Sequence, residues 1–159
     1  RDGRRCRIKK IHVKGYIRLD GASHTQFDNG DNHIAIKIVQ DKQTNGAQMA
    51  PADYLDNASD LSFRNLKHIN RFKTLWSKDI TIAPNTIQST DNTNFRSAGP
   101  VRYFEAYLKV DIPVCFESST PGVADITDNS IHVLAICSQG TVDQPACQLK
   151  YESRVTFVG

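Results

Sequence analysis

The stretch YFEAYLKVDIPVCF, residues 103–116, has the most regular alternation of apolar and polar side chains in the chain. Its apolar positions fall on one face: Phe104, Ala106, Leu108, Val110, Ile112 and Val114. The opposite face carries Tyr103, Glu105, Tyr107, Lys109 and Asp111. A period of two is typical of a β-strand with one buried face. The stretch therefore predicts a long strand on one side of a hydrophobic core.

Similar patterns recur along the chain and predict further strands at residues 8–19, 33–42, 70–82, 130–137 and 147–158. The segment SIHVLAIC, residues 130–137, is apolar on both faces, which favours a central strand. Turn-rich stretches at 20–32, 85–100 and 117–129 predict long loops. Pro51 followed by Asp53 predicts one short helix near 51–57. These elements predict an all-β fold, an antiparallel sandwich with one short helix.

The size of the chain, 159 residues, fits one domain with a single core, so we expect residues 1–159 to form one unit. Hydrophobic residues make up 39% of it, and no run approaches the about 20 apolar residues that a membrane span needs. We therefore expect no membrane partner. With no initiator methionine at residue 1, we also expect the chain to be the ordered part of something longer.

The charge is concentrated at one end. Residues 1–18 hold eight basic residues against one acid, a net charge of +7, whereas the other 141 residues carry −4. We expect residues 1–7 to be the end of a basic arm and residues from Ile8 onward to form a strand. Lys10, Lys14 and Arg18 would share one face of that strand. This pattern suits a nucleic-acid backbone, although an edge strand protected by lysines has the same composition.

No catalytic or cofactor motif is present in the sequence. The five histidines are scattered, and His132, in the most apolar segment, is expected to be a hydrogen-bonded core or interface residue. The acidic turn DNGDN, residues 28–32, has the composition of a calcium loop but also that of an ordinary tight turn. We predict a protein that is not an enzyme and that binds no cofactor or metal.

The four cysteines, Cys6, Cys115, Cys137 and Cys147, form no C-x-x-C pair, and we expect buried thiols in a protein of intracellular origin. Tyr103 and Tyr107 share the outward face of their strand with Lys109. Such a patch is either a contact surface or a face covered by the protein's own loops.

Four stretches, in order, resemble one protein family: RRCRIKKIHVKGYIRL (4–19), HIAIKIVQDKQTNGAQM (33–49), NRFKTLWSKDITI (70–82), and SIHVLAICSQGT (130–141) with CQLKYESRVTFV (147–158). They are similar to the single jelly-roll capsid proteins of small circular single-stranded DNA viruses, most of all to geminivirus-like coat proteins. In that family a basic segment leads into a strand of this kind, and two long strands close the chain.

The resemblance implies an eight-stranded jelly roll that self-assembles into an icosahedral shell of about 60 copies and packages the viral genome. It also implies a virion protein that passes through the host nucleus, with single-stranded DNA favoured over RNA; no residue indicates a host receptor. The nucleic-acid-binding residues it implies are Arg1, Arg4, Arg5, Arg7, Lys9, Lys10, Lys14, Arg18, Arg71 and Lys73.

Two other functions fit the composition. A lectin-like jelly roll would bind a carbohydrate or another ligand through convergent aromatic and amide groups. A nucleic-acid-binding β-domain that does not assemble would have the basic strand without extensive self-contact.

Overall fold

A computed structural model of the chain describes residues 5–19, 32–57, 59–82, 101–117, 122–138 and 147–159. Arg1 and Arg4, and most of the predicted loops and the acidic turn at 28–32, lie outside this part.

The described residues form seven strands, which confirms the all-β class. The strands are β1 (Arg5–Leu19), β2 (Asn32–Asp41), β3 (Phe72–Ile82), β4 (Arg102–Phe116), β5 (Ile126–Asp128), β6 (Ser130–Cys137) and β7 (Cys147–Val158). The predicted helix is a single turn, α1 (Pro51–Tyr54), and short 3-10 turns occupy Leu66–His68 and Val123–Asp125.

Two antiparallel sheets contain these strands, in the orders β5-β4-β1-β7 and β3-β2-β6. The main core lies between them, because the alternating apolar residues of both sheets point toward each other. Its buried members are Ile11, Val13, Ile17, Ile34, Ile36, Ile38, Ile80, Ile82, Phe104 and Ala106. The inward residues predicted for residues 103–116 are all buried or half-buried, and the five outward ones are exposed.

A second core lies on the other side of the three-stranded sheet, under the connection formed by residues 42–71. It consists of Val39, Met49, Tyr54, Leu55, Phe72, Leu134 and Ile136. This core corrects one prediction, which follows from the alternation of side chains within residues 70–82. The sequence pattern put Phe72 and Thr74 on the same face as Trp76, but the register of β2 against β3 shifts between Ile38 and Val39 and turns that end of β3 toward the second core.

The strand β6 was predicted to be a central strand. Among the described strands it pairs only with β2 and lies at the edge of its sheet. Its two apolar faces arise because Val133 packs against the main core while Leu134 and Ile136 belong to the second core.

The first strand differs from its prediction at its start. Arg5 to Arg7, expected in a basic arm, are strand residues that pair with Cys115 to Pro113 of β4. Between Ile8 and Lys10 the register of β1 shifts against both of its neighbours. An extra residue in a strand reverses the alternation beyond it. Ile8 therefore packs against the main core together with Ile11, although three positions separate them.

Gly15 is required where it stands in β1. A Cβ atom there would lie 2.8 Å from Cβ of Tyr151, 2.9 Å from a ring carbon of Phe104, and against the carbonyl oxygen of Lys150. The two aromatic side chains on the neighbouring strands fill the space that a larger residue would need, as is common beside a strand glycine.

Candidate nucleic-acid interface

The outer face of β1, β4 and β7, which we call the basic face, combines cations from three strands. Arg7 and Lys9 both contact Asp111 of β4, so the basic side chains before and after the register shift point to the same side. Nine basic residues lie on this face, eight by the cross-strand registers and Lys9 by its contact with Asp111: Arg5, Arg7, Lys9, Lys10, Lys14, Arg18, Lys109, Lys150 and Arg154. Only three acids share it, Glu105, Asp111 and Glu152, which gives a net charge of +6.

Some of these cations are already paired within the protein. Asp111 accepts hydrogen bonds from Nη1 of Arg7 at 2.7 Å and Nζ of Lys9 at 2.6 Å, and these bonds lower the pKa of its carboxyl group. Lys14 lies 3.7 Å from Glu152, and Arg18 donates to Gln148. These groups are exposed, so the pairs contribute little stability and leave the cations accessible to a ligand.

Lys10 stands directly opposite Lys109 in the β1–β4 register. Two like charges at cross-strand positions repel each other and destabilise a sheet. Both side chains are exposed, and the described residues offer neither an ion pair. A bound anion would turn this repulsion into attraction.

Aromatic rings alternate with the cations across the basic face. Tyr103, Tyr16 and Lys150 lie opposite one another on the three strands and form one row. Tyr107, His12 and Arg154 form a second row, four residues further along β1. Tyr103 is 74% exposed and Tyr107 is 55% exposed, so no described loop covers them. Exposed rings beside Lys and Arg are the elements that stack bases and hold the backbone of single-stranded nucleic acids.

The predicted contacts Arg71 and Lys73 lie elsewhere, at the start of β3 in the three-stranded sheet. Arg71 donates two hydrogen bonds, of 2.8 and 2.7 Å, to the fully buried carboxylate of Asp41 at the end of β2, and its guanidinium lies over the ring of Phe72. Lys73 is exposed beside it. The structure does not bring these two residues to the basic face.

The Asp41 carboxylate anchors a polar network at the end of β2. Burial alone would raise the pKa of Asp41, but the hydrogen bonds from Arg71 and from the Gln43 amide, together with the positive charge of Arg71, hold it below its ordinary value. Thr44, hydrogen-bonded to the carbonyl of Asp41, also bonds to Ser130, whose hydroxyl lies 2.6 Å from Nε2 of His132. His132 is a hydrogen-bonded, half-buried residue, as predicted.

Two of the cysteines meet at the ends of β6 and β7. The Sγ atoms of Cys137 and Cys147 are 3.5 Å apart, at thiol hydrogen-bond distance rather than disulfide distance. This hydrogen bond and burial raise the pKa of Cys147. The four cysteines are free thiols, as expected, but they are half-buried rather than buried.

Within the described ranges, no group of three or more His, Cys, Asp or Glu side chains could hold a metal ion. Likewise, the helices in the part of the chain that the structure describes are all too short to cross a membrane. Neither a protein-family model nor a curated protein sequence matches the chain.

Sequence reasoning missed the contributions of Lys150 and Arg154 to the basic face. Their alternation within residues 147–158 showed that they point outward, but not that β7 lies beside β1. Since the pairing joins strands about 130 residues apart, no local pattern could reveal it.

Proposed function

We propose that this protein is a jelly-roll capsid protein that assembles into a shell and packages nucleic acid, single-stranded DNA in preference to RNA, against its basic face. The observation that carries the proposal is the concentration of nine cations and two rows of tyrosine and histidine rings on one sheet surface, while the rest of the chain is acidic. The binding would be largely independent of sequence, because clustered Lys and Arg neutralise phosphates without reading bases.

The strand order supports the jelly roll. In that fold an antiparallel ribbon is rolled up. The two middle strands pair with each other, the strands before and after them pair in turn, and the last strands of the chain pair with the outer edges of these middle strands. Here β2 pairs with β3 and β1 pairs with β4, while β6 and β7 lie on the other sides of β2 and β1. The same nesting is expected of the central and final strands of a jelly roll.

Exposed apolar side chains on the connection between β2 and β3 support self-assembly. Leu61 and Phe63 are each 83% exposed, and Leu66 is 74% exposed. Large apolar groups gathered on a surface usually mark a protein contact. They lie over the three-stranded sheet, away from the basic face, so contacts between copies could form there while the basic face remains available to nucleic acid.

Electron microscopy of the purified protein tests assembly. Closed shells are expected, and a protein that stays monomeric at both low and high salt would rule out the capsid. The double variant Leu61→Ser, Phe63→Ser should lose shells while keeping the nucleic-acid affinity of the monomer. Loss of both shells and nucleic-acid affinity would mean that the apolar surface on the connection and the basic face do not act independently.

The salt dependence of binding to an oligothymidine tests the basic face. Each phosphate contact on a single strand contributes about 0.7 to the slope of log K against log salt concentration. Replacing Lys10 and Lys14 by Gln should therefore reduce the slope by about 1.4. The matched control replaces Lys42 and Lys67, which are exposed on the connection between β2 and β3, and should leave the slope unchanged. Equal slopes for the two variants would remove the basic face from the binding role.

A further inference from the structure

The strand pairing leaves two positions open in the sandwich. The eight strands of a jelly roll can be numbered in chain order. The antiparallel ribbon pairs strand 4 with 5, 3 with 6, 2 with 7 and 1 with 8. When the ribbon rolls up, strand 8 also pairs with strand 3, and strand 7 with strand 4. The pairs β2–β3, β1–β4, β1–β7 and β2–β6 match strands 3 to 8, with β5 as an addition. The partners of β6 and β7 that correspond to strands 2 and 1 are not among the described strands.

The inner side of β7 is exposed where a complete sandwich would cover it. Val155 faces Ile11 across the β1–β7 ladder and points to the same side, yet Val155 is 44% exposed and Ile11 only 2%. Phe157, opposite Ile8, is 59% exposed. The described part of the three-stranded sheet therefore ends before it reaches β7.

The other sheet has a matching gap along β6. Ala135 pairs with the fully buried Ile36 and points to the same inner side, but Ala135 is exposed.

We infer that two further strands of the same polypeptide, preceding β1, complete both sheets: one pairs with the edge of β6 that has no partner among the described strands, and the other with the corresponding edge of β7. Each would place an apolar face over the exposed inner side chains of β6 and β7. Because both sheets lack a strand on the same side, a consecutive pair of strands fits better than a second copy that adds one strand to one edge. The inference rests on the jelly roll proposed above and makes β1 the third strand of eight, not the first.

Residue-resolved hydrogen exchange on the full-length polypeptide tests this. An edge strand with one partner protects only every second amide, because alternate N–H groups point away from the sheet. In β6 and β7 both sets of amides should be protected, with the outward set exchanging on the order of 100-fold more slowly than in an edge strand. β3, at the opposite edge of its sheet, is the internal control and should keep the alternating pattern.

The measurement is made at a concentration at which ultracentrifugation shows a monomer. Alternating exchange in β6 and β7 like that of β3 would overturn the inference, even if the protein forms shells. Protection that appears only when copies associate would also overturn it, since the occupant would then be a second copy. Full protection in a protein that never forms shells would keep the two strands and reject the capsid.

Discussion

The outer faces of the two sheets differ in whether their basic side chains are covered and ion-paired or exposed to solvent. On the three-stranded sheet the connection of residues 42–71 covers the surface, and Arg71 is fixed to the buried Asp41. On the four-stranded sheet the cations remain exposed, and Lys10 faces Lys109 without a described acid between them. The first arrangement stabilises the fold, whereas the second leaves charge for a ligand. A basic residue in the sequence therefore indicates function only when its surroundings are known.

The largest expected effect comes from breaking the covered side. Asp41→Ala should lower the free energy of unfolding by about 3 kcal/mol, because it leaves the Arg71 guanidinium, only 22% exposed, without its partner. Lys10→Ala, on the basic face, should change it by no more than about 0.5 kcal/mol. Urea unfolding followed by circular dichroism measures both. Similar losses for the two variants would contradict the distinction between the faces.

The two faces should also differ in how much a tyrosine hydroxyl contributes to stability. Tyr54 belongs to the connection and is buried in the second core, and its hydroxyl lies 2.6 Å from Oγ1 of Thr74. Tyr54→Phe should therefore cost about 1 kcal/mol of stability. Tyr107→Phe, on the exposed basic face, serves as the control and should be nearly neutral for folding. Thermal or urea unfolding checks this, and an unchanged Tyr54→Phe variant would show that the bond contributes nothing to stability.

The smallest effect is a loss of stability in weak acid, which originates on the covered side. Burial lowers the pKa of His132 below its ordinary value of 6.5, although Asp41 opposes this and Arg71 adds to it. The unfolded chain then binds a proton more readily than the folded one, so stability should fall as the pH drops below 6.5. A second loss should follow below 3.8, where protonation removes the contribution of Asp41.

Urea midpoints between pH 7 and pH 5 measure the first loss. His132→Asn should flatten the curve over that interval. If the urea midpoint of the variant changes with pH as that of the original protein does, protonation of His132 is not the cause of the loss of stability.

Periodicity predicted the β-class and the strand faces, because burial of alternate side chains leaves a direct mark on the sequence, and Pro51 with Asp53 predicted the short helix. It failed at the two register shifts, near Lys9 in β1 and opposite Val39 in β3, since an irregular pairing reverses the alternation without a change in composition. The predicted arm also ended too late, because Cys6 and Ile8 share the inner face with Ile11 only when that shift is taken into account.

The sequence by itself determined that cations cluster near one end and that a strand carries them. Only the tertiary structure decided which cations lie together: it added Lys109, Lys150 and Arg154 from distant strands to the basic face and paired Arg71 with Asp41. The physical reason is that a sheet face is assembled across strands, through hydrogen-bonded neighbours far apart in the chain, whereas alternation within one strand shows a side chain's orientation but not its neighbours.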